Sequence, residues 1–342
     1  MRANDALSDH LSIDVIICTY NNCALLDRTL AAIAKLRVPP DVTCKVLVVD
    51  NNCTDDTRAV VEEHIRSGKI PDLAIVSEPR QGLTQARRRG VLRTTGDWIA
   101  FVDDDCLLAE DWVEQAIAFA RAHLRCGALG GRVILDWEVP PPAFALQFKY
   151  SFAQQEYGTT ARQVSCLVGA GMIVKRSALA DSGWIGKPLL EDRVGLQPVF
   201  GGDVEIALRI HGAGYELWYN PACSLRHMIC SGRMSLRYLI DVNYGLGVSH
   251  ILGEAMLWPR SYPAWLLTSA GDVLRASTRV LIQASRAALG RGTTEEVAIR
   301  ASFVRGQWAG VGRVHRMNAR ERRTLVGVAK VPAGFLAAEA RM

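Results

Sequence analysis

Within its first 105 residues the chain repeats one unit, a short apolar run that stops at polar side chains and is followed by a stretch of helical period. Ile13-Asp-Val-Ile-Ile-Cys-Thr-Tyr20 runs into Asn21-Asn22, and Cys44-Lys-Val-Leu-Val-Val-Asp50 into Asn51-Asn52. Leu73-Ala-Ile-Val-Ser77 runs into Glu78-Pro79, and Ile99-Ala-Phe-Val-Asp-Asp-Asp105 ends in three carboxylates. Between them, residues 25–36, 57–65 and 83–93 space their apolar side chains as a helix does. Strands with apolar centres that alternate with helices build a parallel sheet through right-handed crossovers. Ligands of such a sheet sit outside the carboxyl ends of its strands. Thr19, Asp50 and Asp103 are therefore expected on one edge.

The three aspartates read in two ways. Neighbouring carboxylates repel unless a cation neutralises them, and oxygen ligands suit a hard ion such as Mg²⁺ or Mn²⁺. The alternative is a solvated turn before the helix that starts near Trp112. No GxGxxG follows the first strand and no GxxxxGK[ST] is present, which argues against a dinucleotide fold and a P-loop ATPase. The nine cysteines form no CxxC pair, and residues 1–9 lack the basic-then-apolar order of a secretory signal. A cytoplasmic protein is expected, without zinc or disulfides, and no charge-free apolar span of membrane length occurs.

Five blocks narrow the reading. Cys18-Thr-Tyr-Asn21, Val48-Val-Asp-Asn51, Gly82-Leu-Thr-Gln-Ala-Arg-Arg-Arg-Gly90, Gly96-Asp-Trp-Ile-Ala-Phe-Val-Asp-Asp-Asp105 and Phe200-Gly-Gly-Asp-Val-Glu-Ile-Ala-Leu-Arg209 follow in this order. Over about residues 13–227 the chain resembles family 2 glycosyltransferases of the GT-A fold. The resemblance implies an α/β fold with a mostly parallel, Rossmann-like sheet flanked by helices. It implies a nucleotide site of Thr19, Tyr20, Asn21, Asp50, Arg87, Asp103 and Asp104, in which Asp50 accepts the imide N–H of uracil and Arg87 contacts base or diphosphate. Asp103 and Asp105 match the ends of a DxD element that holds Mn²⁺ or Mg²⁺, and His227 completes the metal shell. Asp203 aligns with the general base of inverting transfer, and Glu205 is expected to orient or bind the acceptor. The family pattern carries an acid where this chain has Gly202. Arg88, where the family often has Asn, and Arg89 are expected to be solvated.

The implied activity is transfer from a nucleotide-sugar, most readily a UDP-sugar, to a hydroxyl of a glycan or lipid-linked acceptor. A nucleotidyltransferase or a non-catalytic sugar-nucleotide binder is the alternative. No nucleic-acid partner is expected. Residues 1–233 are assigned to the transferase domain and 234–342 to a basic helical region, which holds 15 of the 40 Lys/Arg and 7 of the 35 Asp/Glu. Its helices, expected over 236–257, 264–289 and 295–311, can cap the first domain, pair two copies, or lie on an anionic membrane face. The absence of a QxxRW block and of a spanning helix argues against a polymer-extruding synthase.

Overall fold

The computed structural model describes residues 10–193, 200–259 and 261–329, so the sequence reading of residues 1–9 lies outside the described residues. Strands and helices alternate as the apolar runs require: β1 (Leu11–Thr19), α1 (Cys23–Ile33), β2 (Val42–Asp50), α2 (Thr57–Ser67), β3 (Leu73–Ser77), α3 (Leu83–Arg93) and β4 (Trp98–Asp103). The four strands pair in parallel in the order β3-β2-β1-β4. In register, Thr19 faces Asp50, Asp50 faces Ser77 and Cys18 faces Asp103. The polar carboxyl ends therefore share one edge.

Beyond β4 the sheet changes character. β5 (Cys106–Leu108), α4 (Trp112–Ala122), β6 (Cys126–Trp137), α5 (Ala143–Gln147), β7 (Arg162–Gln163), β8 (Met172–Lys175), α6 (Arg176–Asp181), α7 (Gly202–Gly212) and β9 (Glu216–Ile229) follow. β8 runs antiparallel to both β4 and β6, and β9 runs parallel to β6 but antiparallel to β5 and β7. The sheet is mixed rather than mostly parallel, because its second half is entered through an antiparallel strand. β8 begins only at Met172, since Gly171 takes a φ of 73° that ends extended pairing.

Alternation along β1 divides the core. Ile13, Val15 and Ile17 pack under α1 with Leu26 and Leu30, while Ile16 joins Phe101, Trp184 and Ile206 on the opposite face. Each fully buried side chain of this size contributes about 1.5–3 kcal/mol. Phe148 and Phe152, in the segment after Pro142, are buried with Ile229 and Leu239, so that segment packs beneath the helices.

After β9 the described residues form α8 (Leu236–Leu257), α9 (Tyr262–Ala288), α10 (Thr294–Arg316) and α11 (Ala319–Leu325). These helices share a core with Leu190 and with Leu208 of α7, so they cap the sheet domain. Among the described residues no helix is long and apolar enough to cross a membrane.

Candidate active site

A cleft of about 290 Å³ opens at the carboxyl edge, lined by Thr19, Tyr20, Asn21, Asp103, Asp104 and Asp105 on one side and by Arg193 and Arg233 on another. The walls come from loops that braced side chains hold together. Asn51 donates to the carbonyls of Glu78 and Arg80, both at 2.8 Å, and accepts from Gly82 N–H at 2.8 Å. Asn21, at φ 50°, accepts from Thr54 N–H at 2.7 Å, which ties the end of β1 to the end of β2. Asn21 is a clamp between loops as well as a cleft wall.

Asp50 is buried at the end of β2. Its Oδ1 accepts from Cys53 N–H at 2.8 Å and its Oδ2 lies 3.5 Å from Arg58. One oxygen thus closes the turn, and Oδ2 meets a solvent-exposed guanidinium.

Arg87 is buried on α3, its guanidinium over the Phe101 ring at 5.5 Å. It stands 3.4 Å from Asp192 and 3.7 Å from Asp103. Burial works against its charge, but Asp192, Asp103 and Asp203 together hold its pKa above the usual value. Asp203, in the first turn of α7, accepts from Gly169 N–H at 2.9 Å. A Cβ at Gly169 would lie 2.5 Å from Arg87 Nη2 and 3.3 Å from Asp203, so this glycine lets the two side chains converge. Asp203 and Asp103 consequently belong to one rim, with Arg87 between them.

Asp105 faces the other way from Arg87. His227 Nε2 lies 3.2 Å from its Oδ1, and Arg233 Nη1 donates to its Oδ2 at 2.7 Å. Burial would raise the Asp105 pKa, but His227 and then Arg233 hold it well below the usual carboxylate range. For His227 burial is likewise outweighed, and the Asp105 charge lifts its pKa above the ordinary value. Asp104, which accepts from Asn22 at 2.8 Å, is pushed up to about 7 by burial and then by the charge of Asp105. Asp104 and Asp105 are therefore driven apart in their affinity for a proton, as mutual repulsion demands.

The donor set fits a divalent cation. Ligand atoms of Asp103, Asp105 and Cys106 lie within 4.8 Å of one another. Burial raises the Cys106 thiol far above its usual pKa, which leaves the two carboxylates as the charged ligands. His227 Nδ1 lies 2.8 Å from the Phe152 carbonyl, which holds the ring with Nε2 toward Asp105, and loss of the Nε2 proton would turn that nitrogen into a metal ligand.

Two expectations are corrected. Glu205 is 0% exposed, and its oxygens accept from Leu189 N–H, Leu190 N–H and Arg209 at 2.7–2.9 Å. It fastens the 189–190 segment to α7 and presents nothing to an acceptor, because positions 203 and 205 lie about 200° apart on a helix. Arg88, expected in solvent, is half-buried and donates to the Ile185 carbonyl at 2.7 Å.

Three residues of the cleft carry no signal in the sequence. Arg193 and Arg233 line it, and Asp192 is buried against Arg87. Burial, then the nearby Asp203 charge, pushes Asp192 up to about 7. Both Asp192 and Arg193 sit in an irregular stretch without periodicity, and only the vacant side chain at Gly202 hints that an acid arrives from elsewhere.

Residues 14–183 match the family model described as glycosyl transferase family 2. The succinoglycan biosynthesis protein ExoM of Rhizobium meliloti is 25% identical over 272 residues, which cover 77% of this chain and 82% of the relative. The glucosyl-dolichyl phosphate glucuronosyltransferase of Haloferax volcanii is 23% identical over 259 residues, 73% of this chain and 80% of the relative. Among solved structures, the mannosyltransferase PcManGT from Pyrobaculum calidifontis, in complex with GDP-Man and Mn²⁺, superposes with a TM-score of 0.61 at 20% identity over 88% of this chain and 87% of that one. S. aureus TarS 1-349, in complex with UDP-GlcNAc, superposes with a TM-score of 0.52 at 16% identity over 87% and 91%. The fold is that of GT-A transferases. Of the enzyme classes that the sequence left open, these relatives select the glycosyltransferases, and the chain belongs to glycosyl transferase family 2.

Proposed function

We propose that this enzyme transfers a sugar from a nucleotide-sugar, a UDP-sugar before others, to a hydroxyl of a glycan or lipid-linked acceptor with inversion at the anomeric carbon. The observation that carries the reading is the Asp203 carboxylate, anchored by Gly169 N–H at 2.9 Å and separated from Asp103 only by Arg87. Residues 1–233 form the transferase unit and the later helices its cover.

Thr19 and Tyr20 pack on the base, Asp50 accepts its imide N–H, and Asn21 keeps that corner in shape. Asp104 contacts the ribose. Asp103 and Asp105, with His227 Nε2, would hold Mn²⁺ or Mg²⁺, which when bound neutralises the diphosphate of the leaving group. Arg87, Arg193 and Arg233 add donors to the phosphate oxygens. Asp203 Oδ1 takes the proton of the acceptor hydroxyl while the acceptor oxygen bonds to the anomeric carbon. The bond from that carbon to the diphosphate breaks, and its electron pair leaves with the nucleoside diphosphate. The neighbours solved with GDP-Man, with UDP-GlcNAc and with Mn²⁺ support a nucleotide-sugar donor and a divalent ion.

Thermal shifts with UDP, GDP and CDP, each with and without Mn²⁺, test the donor site. UDP is expected to raise the melting temperature most, and only with the metal; a larger shift by GDP overturns the choice of base. Asp203→Asn is expected to keep the UDP shift and lose transfer, and unchanged transfer removes Asp203 as the base.

A further inference from the structure

Among the described residues helix α9 is covered on one side only. Trp265, Ser269 and Val273 are buried in the C-terminal core, whereas Leu267, Leu274 and Leu281 recur every seven residues at 78, 60 and 69% exposure. Ile282 and Leu289 extend the stripe. At about 1.5 Å per residue the stripe runs over about 33 Å. Arg275, Arg279 and Arg286, all exposed, run beside the stripe about a quarter turn away. Between Asp272 and Glu295 there are four arginines and no acid, and Asp272 itself is paired with Arg275.

The polar groups within the stripe also indicate what covers it. The leucines alternate with Gly271, Thr278 and Ser285, and the Thr278 and Ser285 hydroxyls each donate to the carbonyl four residues back at 3.1 Å. They need no water. A helical pair would require apolar residues at both seam positions, and here every second one is glycine or a hydroxyl residue. Two copies would also bring like-charged arginine rows together. An anionic lipid surface accepts the leucines at the acyl boundary and the guanidiniums at its phosphates.

We propose that α9 seats the enzyme on an anionic bilayer surface, lying in the interface plane with Leu267, Leu274 and Leu281 inserted and Arg275, Arg279 and Arg286 on the headgroups. This surface is independent of the transfer chemistry. The test is flotation of the full chain with vesicles of phosphatidylcholine alone or mixed with phosphatidylglycerol, beside light scattering and circular dichroism. Flotation is expected only with the anionic vesicles. The triple variant Leu267→Ser, Leu274→Ser, Leu281→Ser is expected to stay helical and to lose it. Arg275→Gln, Arg279→Gln, Arg286→Gln together should weaken partitioning by roughly 100-fold. Absence of flotation overturns the proposal, as does a dimer in light scattering that the leucine variant converts to monomer.

Discussion

Asp192 occupies the space that a side chain at Gly202 would need: a Cβ there would stand 2.9 Å from Asp192 Cβ and Oδ2 and 3.1 Å from Thr84 Oγ1. The carboxylate beside Asp203 therefore comes from an irregular segment instead of from α7 itself.

This packing makes the two positions interdependent. Gly202→Glu alone is expected to force Asp192 aside, to cost about 1–3 kcal/mol by overpacking, and to lower turnover. Adding Asp192→Gly should restore both stability and turnover above the Gly202→Glu level. Melts and rates in a double-mutant cycle check this, and additive effects would show the sites to be independent.

Asp192 also gives stability a pH dependence. Its pKa in the folded protein lies near 7, raised first by burial and then by Asp203. In the unfolded chain it ionises near the usual carboxylate value, about 3.9. Its contribution is complete below that value and is lost as pH rises toward 7. The melting temperature of Asp192→Asn minus that of the natural protein should therefore increase from pH 5 to 7.5 and then level off. Asp104, raised similarly, is present in both proteins and drops out of the difference.

The two outer aspartates should separate metal binding from folding. Asp105 is clasped by His227 and Arg233, so Asp105→Ala leaves two buried cationic groups unpaired and should cost about 3–5 kcal/mol. Asp103 pairs more loosely, with Arg87 at 3.7 Å. Asp103→Asn is expected to melt within a few degrees of the natural protein yet lose the Mn²⁺-dependent shift with UDP. Chelation of the natural protein should abolish transfer, and added Mn²⁺ should return it.

Glu205 should act on stability alone. Glu205→Ala removes the acceptor for Leu189, Leu190 and Arg209, and a loss of about 3 kcal/mol is expected. In Glu205→Gln, which keeps the volume, KM for acceptor should remain that of the natural protein. A rise in KM would return Glu205 to the acceptor site.

How far the sequence was legible depended on periodicity. β3, α3 and α8 coincide with the expected 73–77, 83–93 and 236–257, because strong apolar spacing left no competing register. The shared edge of Thr19, Asp50 and Asp103 was equally accessible, since parallel strands align their carboxyl ends. Asp192, Arg193 and Arg233 were invisible, for they lie outside any strand or long helix and reach the cleft through tertiary packing. Glu205 misled because proximity in sequence to Asp203 outweighed helical geometry, which sends the two side chains to nearly opposite faces.

The three bonds of Asn51 have one more implication. Ordering a loop such as 78–82 costs about 1–2 kcal/mol per residue, and here that cost is met when the chain folds, because a single amide already staples the loop to the end of β2. For the proposed donor site this means that the base niche is formed before the base arrives, so that discrimination among nucleobases would rest on complementarity of edges.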